Sequence, residues 1–233
     1  MFLGWVYGMA LDKAVIRAIQ VLSGLALMAA VFFASAGRLD IPRAWFFYGM
    51  SLIHLLCNFV IFYKLAPDIM RERSETKPGI KWWDLAFAVS FTLSVLAIHA
   101  VAGLDIGRSG WSNLGPEFGV LGILLYAIGA SIITWAMVVN KFFETTVTIV
   151  KGHQVASGGP YAFVRHPGYV GMILVYSSPS LVLGSAVSLI PAAIVVVLFV
   201  GRTYMEDKTL QKELKGYEEY MKKVRYRLVP GIW

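Results

Sequence analysis

A chain of 233 residues with 58% hydrophobic and 15% charged side chains is too apolar for a soluble domain, where about 45–50% and about 25% are usual, so it belongs in a lipid bilayer. The single Cys57 excludes a disulfide framework and any cysteine-based zinc or iron–sulfur site. The net charge of +7 is dispersed between hydrophobic stretches and forms no basic domain, which points to membrane lipid as a partner and away from nucleic acid.

The first apolar run follows Lys13 and Arg17 and ends at Ala36. It exceeds the ~7–15 residues of a secretory h-region and is expected to be an uncleaved first spanning helix, with the apolar segment 1–10 in the interface. A second run extends from about Trp45 to Leu65, followed by a polar connection, Ala66 to Lys81. A third run covers Trp82 to Leu104 and a fourth Phe118 to Val139. From Lys141 to Pro167 the chain is mixed, with Gly158-Gly159-Pro160 at its centre, and cannot span. Tyr169 to Gly201 is apolar again and too long for one crossing. Leu183-Gly184-Ser185 and Pro191 divide it into a hairpin of two short helices, with a re-entrant hairpin as the alternative.

The distribution of positive charge orients this map. Lys and Arg number five in 64–82, three in 141–167 and eight from Arg202 onward, against two in 37–44 and one in 105–117. Cytoplasmic loops carry such an excess, so six crossings with both termini cytoplasmic satisfy the pattern, in the inner or plasma membrane of the cell. The expected fold is all-α and polytopic, with a helical tail from Arg202 to Arg227 riding on the membrane surface. Residues 1–140 form a four-helix transmembrane region, and 141–233 a separate functional core.

Three polar clusters fall on that cytoplasmic side: the 66–81 connection, His153 to Tyr169, and Arg202 to Leu210. Arg202 and Glu206 share a helix face at i and i+4 where the helix leaves the lipid, a position in which ionisable groups are costly and usually used. His54 and His99 lie inside predicted spans and are expected to hydrogen-bond to neighbouring helices. His153 and His166 stand thirteen apart without an HxxxH or HExxH pattern, so no metal site is expected. Nucleotide-binding fingerprints are also missing, so any cofactor would need a different kind of pocket.

From Asn140 onward the chain resembles the isoprenylcysteine carboxyl methyltransferase family of integral membrane methyltransferases. The resemblance rests on an ordered set of residues. These are His153, Gly159-Pro160-Tyr161, Arg165-His166-Pro167-Gly168-Tyr169-Val170-Gly171, Arg202 with Glu206-Asp207 and Leu210, Gly216 to Tyr220, and the close Tyr226 to Gly231. It implies methyl transfer from S-adenosylmethionine. His153, Gln154, Val155, Ala156, Tyr161, His166, Pro167, Gly168, Tyr169 and Glu206 would line the cofactor pocket, with Arg202 facing a substrate carboxylate and Arg165 beside it. Arg202 and Glu206 would be the catalytic pair. Thr146 stands where the family has a glutamine, which removes one contact, and Asp207 replaces a frequent second glutamate. The implied acceptor is lipophilic, a prenylated carboxylate or a lipid-modified molecule. Phospholipid amines and thiols remain open as acceptors, and a membrane scaffold or transporter subunit is the non-enzymatic alternative. Oligomeric state is not legible.

Overall fold

The computed structural model describes residues 2–65, 81–143, 146, 147, 149 and 152–233, with side chains for these except residues 2–14 and Leu65. The expected connection 66–80 lies outside the described residues. All regular structure among the described residues is helical: α1 (Phe2–Ala36), α2 (Pro42–Leu65), α3 (Trp82–Leu104), α4 (Pro116–Val139), α5 (Pro167–Leu183), α6 (Leu189–Glu213) and α7 (Tyr217–Lys223). A π-helical turn, Asp105–Ser109, prolongs α3, and a 3-10 turn, Gly159–Ala162, precedes α5.

Among the described residues, five stretches are long and apolar enough to cross a membrane: Val15–Ala36, Pro42–Lys64, Trp82–Ser109, Pro116–Val139 and Leu189–Glu213. Pro167–Leu183 is a shorter apolar helix. The tip of the α5–α6 hairpin is nevertheless tied to the loop joining α3 and α4. Leu114 N–H donates to the Gly184 carbonyl at 2.8 Å, and Asp105 accepts hydrogen bonds from the hydroxyls of Ser112 at 2.5 Å and Ser185 at 2.6 Å. The hairpin therefore reaches the end of the bundle opposite the 140–167 segment.

Two features of the hairpin differ from expectation. Its second arm is a 25-residue helix and not a short one, because Pro191 sits in the first turn of α6, where a missing N–H breaks no helical bond. The proline inside a helix is Pro179 of α5. It leaves the Val175 carbonyl without its backbone donor, and the neighbouring Ser178 hydroxyl supplies one at 2.7 Å. The tail 202–227 is also not one surface helix. α6 ends at Glu213, Gly216 turns the chain at φ +87°, and Tyr217 and Tyr220 of α7 are buried against the protein.

Close backbone packing holds the bundle where the apolar contrast with lipid cannot. α4 and α5 meet at Gly129 and Gly171, where a Cβ on either would lie 2.6 Å from the other's carbonyl oxygen. Polar side chains inside the spans find partners on neighbouring helices. His99 Nδ1 is 2.9 Å from Tyr48 Oη, His54 Nδ1 is 2.9 Å from Tyr126 Oη, and Thr134 donates to Asn58 at 2.7 Å. The expectation for His54 and His99 is met.

Candidate active site

The site forms where the C-terminal end of α4 and the N-terminal end of α5 meet the second half of α6. Pro167 at the first position of α5 fixes the turn after His166. The N–H groups of Arg165 and His166 donate to the carbonyls of Tyr226 at 2.9 Å and Arg227 at 3.0 Å, so the final segment of the chain is laid along the start of α5. Gly159, at φ +55°, seats the 3-10 turn against α4; a Cβ there would lie 2.9 Å from Trp135 Nε1. The turn presents Tyr161, whose hydroxyl accepts from Asn140 at 3.2 Å and whose carbonyl accepts from Tyr220 at 2.7 Å.

A cavity of about 730 Å³, counting its open mouth, lies between these walls. It is lined by His153, Gln154, Val155, Ala156, Tyr161, Arg165, His166, Gly168, Tyr169 and Glu206, together with Asn140, Phe142, Phe143, Thr146, Val147, Leu210, Leu214, Tyr217 and Tyr220. Of the residues singled out in the sequence, Pro167 and Arg202 are absent from the lining. His153 stacks on Phe142 with centroids 4.3 Å apart. Gly168 carries no side chain because the Phe143 ring occupies that space.

Below the cavity a connected polar network joins α3, α5, α6 and the C-terminal segment. Tyr169 donates its hydroxyl proton to Glu206 and accepts from Arg202 Nε at 2.8 Å. Arg202 Nη1 lies 2.5 Å from Asp84 Oδ1. His166 lies between Glu206, 3.7 Å from its Nδ1, and Asp207, 3.2 Å from its Nε2. Asp207, only 1% exposed, also accepts both donors of an Arg165 fork at 2.9 and 3.1 Å, Arg227 Nε at 2.8 Å and the Tyr217 hydroxyl at 2.8 Å. Arg165 gives Nη1 to the carbonyls of Val224 and Arg225, so it staples structure and does not point a free fork into the cavity.

Several participants were missed in the sequence. Asp84 and Phe87 of α3 contact Arg202, the Phe87 ring centroid lying 4.4 Å from the guanidinium carbon. A carboxylate inside an apolar run was the available signal for Asp84. Asp207, which in the sequence only replaces a frequent glutamate, is the hub of the network. Tyr217, Tyr220 and Arg227 carried no signal beyond the resemblance.

Burial opposes charge on His166, but the hydrogen bonds and charges of Asp207 and Glu206 outweigh it and raise its pKa above 6.5. A raised folded pKa contributes stability that is complete below 6.5 and is lost as pH rises through the folded value. Wild-type protein in detergent should therefore lose thermal stability over that rise, and His166→Gln should lack the step. Parallel profiles for the two proteins would rule out this titration. Burial raises the Tyr217 and Tyr220 phenols, and Asp207 raises them further, so both remain protonated donors.

Residues 121–212 match the model of the Isoprenylcysteine carboxyl methyltransferase (ICMT) family. The chain is also similar to Delta(14)-sterol reductase TM7SF2 of Mus musculus, 33% identical over 92 residues, which are 38% of this chain and 22% of that protein. The chain thus spans about a fifth of the length of this curated relative. The matched segment comprises most of α4, all of α5, the loop between them and all but the last residue of α6, so over residues 121–212 this integral membrane chain is similar to that family.

Proposed function

We propose that the protein is an S-adenosylmethionine-dependent methyltransferase acting on a lipophilic acceptor at the cytoplasmic face of the membrane. The observation that carries this reading is the cavity, whose lining contains nine of the ten residues that the family resemblance implies for the methyl donor's pocket. The chemistry of the lining fits the donor. The rings of Tyr161, Tyr169 and Phe142 offer faces that stabilise a cation, and Glu206 offers a carboxylate. The donor, when bound, supplies a methyl group on a positively charged sulfur.

The chain's own part is to hold and align. Tyr169 keeps Glu206 in one orientation, Arg202 keeps Tyr169, and His166 braces Glu206 from the other side. Asp207, Arg165 and Arg227 fix the backbone on which these groups sit. In-line displacement gains most from such positioning. Six crossings with both ends cytoplasmic, and a functional boundary near residue 140, complete the proposal. The lipid tail of an acceptor then enters from the side while the polar donor enters from the mouth. The sterol reductase match covers too little of that protein to carry its activity across. The paired state of His54, Asn58 and His99 accounts for the polar groups that a transporter reading would use.

Binding of S-adenosylmethionine to the purified protein in detergent tests the reading. Glu206→Ala and Tyr161→Ala should each weaken binding by about tenfold or more, the loss of a charge-assisted contact or a ring face. Equal and negligible binding by all three proteins would sink it.

A further inference from the structure

Residues 228–233 are apolar throughout, although they follow the charged α7. They fold into a hook. Gly231, at φ +81°, turns the chain, and the backbone oxygen of Trp233 accepts the N–H groups of Arg227, Leu228 and Val229 at 2.9, 3.0 and 3.2 Å. The N–H groups of Ile232 and Trp233 both go to the Val229 carbonyl at 3.1 Å, and Pro230 has none to place. Unpaired backbone is what keeps irregular loops away from lipid, and this loop pairs its own.

One side of the hook faces the protein. Leu228, 5% exposed, belongs to the apolar cluster of Val95, Tyr169, Val195 and Phe199, and Trp233 packs against that cluster. The other side is bare, with Val229 46% and Ile232 81% exposed. The neighbouring α6, long and apolar enough to span, likewise turns Val197, Val200 and Tyr204 outward, and Lys208 sets its ammonium 4.4 Å from the Tyr204 ring centroid. A tyrosine and a lysine at the end of such a stripe mark the headgroup level. The hook is held near that level, because Tyr226 and Arg227 pair with the backbone just ahead of α5 and Arg227 reaches Asp207 of α6.

We infer that residues 228–233 dock on the bilayer at the boundary between headgroups and acyl chains, with Val229 and Ile232 turned to lipid and Leu228 and Trp233 fixing the hook to the bundle. An apolar side buried at that boundary reaches about 5–10 Å into it. The inference needs only the fold and stands apart from the methyltransferase reading.

The test uses the full chain with Cys57→Ser, which removes the native thiol, reconstituted into phosphatidylcholine vesicles. Nitroxide labels are placed one at a time at Val229→Cys, Ile232→Cys, Val197→Cys as the lipid reference and Lys222→Cys as the water reference. Collision rates with oxygen, which concentrates in lipid, and with a water-soluble nickel chelate read the depth of each. The oxygen-to-nickel ratio at both hook positions should shift away from that of Lys222→Cys and toward that of Val197→Cys. Ile232 is so exposed that a label there displaces no packed neighbour, and Val229 gives a second reading if one variant fails to fold. A ratio at either position equal to that of Lys222→Cys overturns the inference.

Discussion

Asp207→Asn should lower the unfolding free energy by about 3–5 kcal/mol, the usual result of removing one partner from a buried ion pair and leaving the other uncompensated. The buried Arg165 loses the acceptor of its fork, Arg227 loses its carboxylate, and the new amide must aim donors at donors. An unfolding titration in mixed micelles measures the loss. A double-mutant cycle with Arg165→Met should return a coupling of about 1–3 kcal/mol, since the two side chains share one network. A stability equal to wild type would mean that the network is not the keystone described here. Because Arg165, Arg227 and His166 all converge on Asp207, donor binding should fall with stability.

Gly129→Leu should be comparably severe, and for a different reason. Its side chain would have to displace the Gly171 carbonyl and Leu174 of α5, where backbone cannot yield as a flexible side chain can. Overpacking typically costs about 1–3 kcal/mol, and forcing two helices apart adds lost contacts along both. Gly24→Leu is the control: nothing lies within 4 Å of its would-be Cβ, and leucine is the better helix former. Folded yield and unfolding midpoint should drop for the first and hold for the second. Equal behaviour would show that α4 and α5 tolerate separation.

The helices were legible because lipid demands long apolar runs. α2 begins at Pro42 and α4 at Pro116, each a few residues ahead of the hydrophobic edge, since proline starts a helix before apolarity requires one. Hydropathy misled at α6, because it registers lipid and not helix; the helix continues past Gly201 through Arg202 and Glu206 to Glu213. The cavity wall was legible through the motifs around His153 and His166, which are contiguous in sequence. Asp84 was not, because two whole helices, α4 and α5, lie in the chain between it and Arg202 and nothing local records that they meet. The same holds for Asp207, whose hub character depends on Arg165 and Arg227 arriving from opposite directions along the chain.

The pairing of Arg165 and His166 with the backbone of Tyr226 and Arg227 has a consequence for biosynthesis. When α6 is inserted into the bilayer, Asp207 can meet Arg165, but Arg227 is 20 residues further along and still to be docked. A ribosome-bound chain at that stage holds its spanning helices and an unfinished pocket floor. The pocket floor on this view is completed last, after insertion, so truncated products keep the membrane anchor without it.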